Sequence, residues 1–214
     1  MVSPLDQVIY ALDLFGTVIF AVTGALRAIR YRFDFFGVVV LACVVGVGGG
    51  LMRDAAIGAT PAAALVDGAY LLVCVATGVV LFFAAPLLAA RWNLIQICDA
   101  VGLGVFTILG ANKGAAYGLS DAGIVIAGVV TAIGGGIVRD LFTLTIPAVL
   151  KSDFYATASL IGGVLYCVLH HWGVSFAWAF FPVMFAVTGI RLAAIHWKVQ
   201  LPVAKFSGDS HNRA

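Results

Sequence analysis

Apolar positions in this chain come in long unbroken runs, not in the alternating or one-faced patterns of soluble domains. Crossing the hydrocarbon core takes an α-helix of about 20 apolar residues. Seven stretches answer to that: Leu5–Ile29, Phe35–Thr60, Leu65–Ala89, Leu94–Gly114, Ile124–Ile146, Tyr155–His170 and Val174–Ile195. The sixth is the shortest and leans on Phe154 and Trp172 at its margins. Closed β-barrels also cross membranes, but their strands alternate with a period of two, and these runs do not. The pattern predicts an all-α membrane protein with seven transmembrane helices.

The polar residues between the runs set the orientation, because cytoplasmic loops carry the excess of Lys and Arg. With the N-terminus outside, the inner segments hold Arg27, Arg30, Arg32, Arg91, Arg139, Lys151, Arg191, Lys198, Lys205 and Arg213. The outer segments hold only Arg53 and Lys113. The asymmetry predicts an N-outside, C-inside topology. From Val199 onward the chain is short and polar and reads as a flexible cytoplasmic tail, residues 199–214.

The chain also resembles itself at a shift of 86 residues, which points to a repeat architecture. Asp13 falls on Asp99, Gly16 on Gly102, Phe20 on Phe106 and Gly24-Ala25 on Gly110-Ala111. Tyr31 falls on Tyr117, Gly37 on Gly123, and GGGLMRD from Gly48 on GGGIVRD from Gly134. Pro61 meets Pro147 and Asp67 meets Asp153, with no gap from Asp13 to Asp67. Apolar matches between membrane helices mean little, whereas charged, Gly and Pro matches in register carry weight. Residues 5–89 then form one three-helix unit and residues 94–170 a second. An odd number of helices forces the second copy to enter from the opposite face, giving inverted repeats as in many transporters. Residues 174–195 supply a seventh helix outside the repeat.

Each repeat carries three consecutive glycines inside its second span: Gly48, Gly49 and Gly50, then Gly134, Gly135 and Gly136. Glycine costs a helix about 1 kcal/mol relative to alanine. A broken backbone must face protein or a water-filled cavity, never lipid. One reading is therefore an interrupted helix whose carbonyl end suits a cation and whose N–H end suits an anion. The other is a surface where two helices approach closely. The doubling of the motif, each copy followed by Arg-Asp, favours the first.

Position places ionisable groups beside these glycines. Arg53 lies about 27 Å along the second span and Asp13 roughly 12 Å into the first, both in the outer half. The repeat puts Asp99 and Arg139 in the inner half. Ionisable groups at membrane depth are costly and usually pair inside the bundle. Two clusters are expected: Asp13 with Arg53 and Asp54, and Asp99 with Arg139 and Asp140, bracketing a central passage. The competing reading has the Arg-Asp pairs reaching out from helix ends. Lys113 and Arg27, at equivalent positions, read as interfacial anchors. Trp92, Trp172 and Trp197 fit the same role, as do His170 and His171 beside Trp172. Pro182 reads as a tolerated kink in the seventh span.

Composition narrows the function classes. Of 214 residues 63% are hydrophobic and 10% charged, with mean hydropathy +1.10, where a soluble domain carries about 25% charged residues. A net charge of +2 gives no footprint for a nucleic-acid partner. No Walker loop, HExxH, nucleophile elbow or zinc-type spacing occurs, so neither an enzyme nor a cofactor nor a resident metal is expected. Cys43, Cys74, Cys98 and Cys167 lie inside apolar runs and read as small buried hydrophobes. The first run lacks a basic leader and a cleavage site and reads as a retained helix, not a signal peptide.

Seven spans, two three-helix repeats and the paired GGG-x-x-R-D motifs together resemble the prokaryotic trimeric intracellular cation channels, over about Asp13 to Ile195. The resemblance implies a homotrimer in the cytoplasmic membrane of a prokaryote, with an ion pathway through each subunit. It implies that the second and fifth helices are kinked at the glycines and line that pathway. It also implies that potassium and sodium permeate, so that the partners are membrane lipids and monovalent cations. Animal members carry a lysine-based motif tied to phosphoinositide where this chain has Gly-Gly-Gly, so that regulation is not expected here. Relatives have also been described as carriers of a small amino acid such as glycine, and inverted repeats suit alternating access as well.

Overall fold

The structure is a computed structural model that describes residues 4–85, 92–151 and 154–199. Among them the regular elements are all helical: α1 Pro4–Arg30, α2 Phe35–Ile57, α3 Ala63–Val66, α4 Gly68–Phe83, α5 Trp92–Ala116, α6 Asp121–Phe142, α7 Ala148–Lys151, α8 Ala156–His171 and α9 Phe176–Trp197. Helices α1, α2, α5, α6 and α9 are long and apolar enough to cross a membrane, while α4 and α8 are apolar but 16 residues each. The third expected span is divided: α3 ends at Val66, and Asp67 caps α4 by accepting a hydrogen bond from Ala69 N at 2.9 Å. Residues 86–91 and the tail from Gln200 lie outside the described residues.

Local chemistry explains the ends. The Asp34 carboxylate caps α2 by accepting from Gly37 N at 2.7 Å, and Ser120 caps α6 by accepting from Gly123 N at 3.3 Å. These side chains satisfy N–H groups that the first helical turn leaves free. Helix α2 stops at Gly58, whose φ of 73° is left-handed, a backbone region glycine enters without cost. The equivalent residue after α6 is Leu144, which holds φ 52° with its side chain almost fully exposed.

Small residues then let the helices close on one another. A methyl group on Gly24 would sit 2.6 Å from the Leu41 carbonyl oxygen, and one on Gly110 the same distance from that of Ala127. Gly78 rests on Val39, and Gly163 on Val125. Apolar driving force vanishes between helices in lipid, so such close approach supplies packing that larger side chains would block. At the centre the Phe20 and Phe106 rings meet edge-on at 4.9 Å. Phe20 lies on Gly102 and Phe106 on Gly16. Helix α9 covers α5, with Thr188 and Met184 against Gly104.

Candidate functional site: two charged chambers and a glycine seam

Helices α1 and α5 each reach two groups of buried charges. On α1, Asp13 lines one cavity and Arg27 another; on α5, Lys113 lines the first and Asp99 the second. Fourteen residues separate the members of each pair, about 21 Å along a helix. The chambers therefore lie at opposite ends of two helices that run in opposite directions.

The first chamber, of about 280 Å³, is lined by Asp6, Tyr10, Asp13, Arg53, Tyr70, Asn112 and Lys113. A smaller space of about 20 Å³ lies alongside, bounded by Asp13, Gly50, Arg53, Asp54 and Phe106, room for barely one water molecule. Asp54 organises the charges. Its Oδ1 accepts from Arg53 Nε at 2.8 Å and Lys113 Nζ at 2.7 Å, and its Oδ2 from Ala63 N at 3.1 Å. That last bond ties the start of α3 back to the end of α2. Asp13 Oδ2 accepts from the Tyr70 hydroxyl at 2.8 Å.

The second chamber, of about 230 Å³, is lined by Arg27, Gln96, Asp99, Arg139, Asp140, Lys151 and Arg191. Asp140 here does what Asp54 does in the first. Its Oδ1 meets Arg139 Nε at 3.1 Å and Arg27 Nη2 at 3.6 Å, and its Oδ2 accepts from Ala148 N at 2.8 Å. Arg139 Nη1 also binds Asp99 Oδ1 at 2.5 Å and Thr23 Oγ1 at 3.3 Å. Arg53, Asp54, Asp99, Arg139 and Asp140 are all under 7% exposed. Charges so placed persist only when paired, because each isolated ion would lose its hydration.

Between the chambers the two glycine triplets face each other. A methyl on Gly49 would overlap the Thr131 carbonyl oxygen, and one on Gly135 would come within 2.5 Å of that of Val45. Gly134 approaches the Gly49 Cα and Met52. Both helices run on through their glycines without interruption. The expected broken helices, with free carbonyls and N–H groups at the glycines, are thus not found. The close-approach reading describes them instead: glycine's low helix propensity is outweighed where two backbones touch across a seam.

The six candidate charged residues fall into two groups, Asp13 with Arg53 and Asp54, and Asp99 with Arg139 and Asp140. Two expectations change. Lys113 and Arg27 are not interfacial anchors but the second bases on Asp54 and Asp140. The contacts also repeat at 86 residues only as far as Asp54 and Asp140. From Ala63 and Ala148 onward the shift is 85, which pairs Tyr70 with Tyr155 and Gly78 with Gly163. This sets aside the ungapped match of Asp67 to Asp153, of which Asp153 lies outside the described residues. Tyr70, Tyr155, Thr23 and Arg191 escaped the sequence reading. A search allowing one deletion after Pro61 would have found the two tyrosines. His170 and His171 sit away from both chambers, His170 stacked on Tyr166 and His171 3.8 Å from Asp121. His171 borders an open apolar groove between α6 and α8.

A family model described as Glycine transporter matches residues 10–86 and again 96–171. The chain belongs to this family. The two matches begin 86 residues apart and end 85 apart, the same slip the contacts show. Among curated relatives in the family, a membrane protein of Vibrio cholerae is 43% identical over 92% of this chain and 82% of its own length. The inner membrane protein YadS of Escherichia coli is 38% identical over 97% of this chain and all of its own. A solved structure, described as the TRIC trimeric intracellular cation channel orthologue from Rhodobacter sphaeroides, superposes with a TM-score of 0.86 at 37% identity. It covers 90% of this chain and 100% of the other. A structure described as a prokaryotic TRIC channel also matches, with a TM-score of 0.83 at 29% identity over 91% of this chain and 99% of the other. This member of the family is a multi-pass inner-membrane protein.

Proposed function

We propose that the chain is a channel for monovalent cations, potassium and sodium, whose pathway runs from the first chamber through the glycine seam to the second. In this reading α1, α2, α4, α5, α6, α8 and α9 are seven spans with the N-terminus outside. The two three-helix units are inverted repeats, so the second chamber faces the cytoplasm. Three copies assemble with one pathway in each, as the Rhodobacter sphaeroides relative is described as trimeric.

The observation that carries the reading is the pairing of two charged chambers at opposite ends of antiparallel helices, separated by a seam held only by packing. Each chamber has the same neutral heart: Asp13 and Asp54 with Arg53 and Lys113, and Asp99 and Asp140 with Arg27 and Arg139. The matched charges of each heart cancel, so neither heart opposes a hydrated ion by net charge; Lys151 and Arg191 add base to the second chamber. In the present state the seam is shut, and conduction requires α2 and α6 to part at the glycines. Cation preference is not a consequence of the neutral clusters; it rests on the similarity to the cation channels. That similarity also supports a passage rather than an enzyme.

The same sealed seam supports a second reading, a carrier for a small amino acid such as glycine. Alternate opening of two chambers toward a central block is the geometry of alternating access, and the family model's description points the same way. Planar-bilayer recording under asymmetric potassium chloride separates the two. The channel predicts unitary currents whose reversal potential follows the potassium gradient. Saturable, exchangeable uptake of solute without unitary currents would overturn it in favour of the carrier.

A further inference from the structure

The two chambers are not equally closed at the glycines, and the difference falls on one pair of side chains. In the first chamber a methyl on Gly50 would find no neighbour nearer than Arg53 Nη2 at 3.7 Å, and Gly50 is only half-buried. Tyr70 stands aside there, its hydroxyl bound to Asp13. In the second chamber the equivalent residue, Gly136, is buried, and a methyl on it would lie 2.6 Å from the Tyr155 hydroxyl. Tyr155 is the counterpart of Tyr70 at the shift of 85, and it is 1% exposed. The guanidinium of Arg191 lies 4.8 Å from the centre of its ring. Arg191 comes from α9, the helix that has no counterpart in the repeat.

We propose that Tyr155 is the inner gate of the passage, seated on Gly136 and held there by Arg191 of the seventh helix. This rests on the passage described above and adds to it a residue that closes it and a residue that positions the closing one. A tyrosine fits the task because its ring offers a flat face to a cation and its hydroxyl fills the space a side chain would take at Gly136. Gly136 fits because any side chain there would displace the hydroxyl. The first chamber shows the alternative pose of the same side chain, drawn to a carboxylate instead of capping the glycine. Asp99, the counterpart of Asp13, lines the second chamber. Tyr155 already lies beside Asp99, so it uncovers Gly136 only by withdrawing from the glycine, as Tyr70 leaves Gly50 uncovered in the first chamber. Arg191 holds one pose against the other. Motion of α9, which also bears on α5 through Thr188 and Met184 at Gly104, would reset the gate.

Potassium efflux from proteoliposomes tests this with Arg191→Gln and Arg191→Lys, together with Tyr155→Ala. Arg191→Gln removes the cation over the ring and is expected to raise efflux about thirtyfold, the weight of a desolvated cation–π contact. Tyr155→Ala is expected to raise it at least as far. Arg191→Lys keeps a cation within reach of the ring and should return efflux most of the way to that of the unmodified protein, which a merely structural role for the guanidinium would not produce. Unchanged efflux in Arg191→Gln, in protein that elutes as the unmodified one does, overturns the gate and leaves the passage standing. Absence of efflux from the unmodified protein and all three variants removes the passage and the gate with it. Should Tyr155→Ala fail to fold, the two arginine variants decide, because both keep the tyrosine.

Discussion

The first and second chambers are built from the same parts and end up different. Each has an aspartate following an arginine at the end of a glycine-bearing helix, a second base from a neighbouring helix, and a bond from the aspartate to the next short helix. Each also has a second aspartate fourteen residues from the base that serves the opposite chamber. The first chamber adds Asp6 to this heart; the second adds Lys151 and Arg191. A duplication thus supplies the neutral scaffold, and residues outside the matched heart give each end its sign. The first chamber thus gains acid and the second gains base, so the proposed cation pathway meets its less favourable charge at the second.

The largest expected effect breaks the shared heart. Asp54→Asn and Asp140→Asn each leave a buried arginine and a partly exposed second base, Lys113 or Arg27, facing a neutral amide, and removing one partner of a buried ion pair costs about 3–5 kcal/mol. If the second chamber has the greater excess of base, Asp140→Asn will be the worse of the two by thermal unfolding in detergent. Equal losses would show that Arg191 and Lys151 do not bear on Asp140.

A middle-sized effect divides the glycines within a triplet. Gly49→Ala and Gly135→Ala force a methyl into a carbonyl oxygen across the seam, and overpacking of this kind costs about 1–3 kcal/mol. Gly50→Ala meets only Arg53 Nη2 at 3.7 Å, an ordinary contact, and gains up to about 1 kcal/mol in helix propensity, so its midpoint should stay level or rise. A similar fall for all three would mean that the glycines matter for flexibility, not for contact.

The smallest effect contrasts the two turns. Leu144 sits in the left-handed region that costs a non-glycine residue roughly 1–2 kcal/mol, where the first repeat uses Gly58. Leu144→Gly should therefore stabilise by up to about 1 kcal/mol, and Gly58→Ala should destabilise by a similar amount. Opposite signs in the same unfolding assay would confirm that the two turns share one backbone shape.

Much of this was legible in the chain. The apolar runs located the main helices, although Asp67 cuts the third run because its carboxylate caps α4 more readily than it continues α3. The repeat located the charged pairs, since Arg-Asp after a glycine triplet has few other uses inside a membrane. What escaped was of two kinds. At the glycines the sequence allows both an interrupted helix and a close approach, and only the facing helix decides between them. Lys113 and Arg27 looked like anchors because their helix ends are near the surface, yet their side chains turn inward to aspartates of another element. Tyr155 was hidden by one missing residue after Pro147, and Arg191 by having no counterpart in the repeat to compare with.

In the proposed channel, cations cross by parting the glycine seam. A side chain at Gly48 would face Gly135 and Val138 across it at 3.7 and 3.8 Å. The decisive measurement is bilayer current through protein carrying Gly48→Cys and Val138→Cys, in a background without Cys43, Cys74, Cys98 and Cys167. Unitary potassium currents should vanish when the pair is oxidised and return on reduction. Currents of full size through the oxidised, cross-linked protein would place the pathway elsewhere.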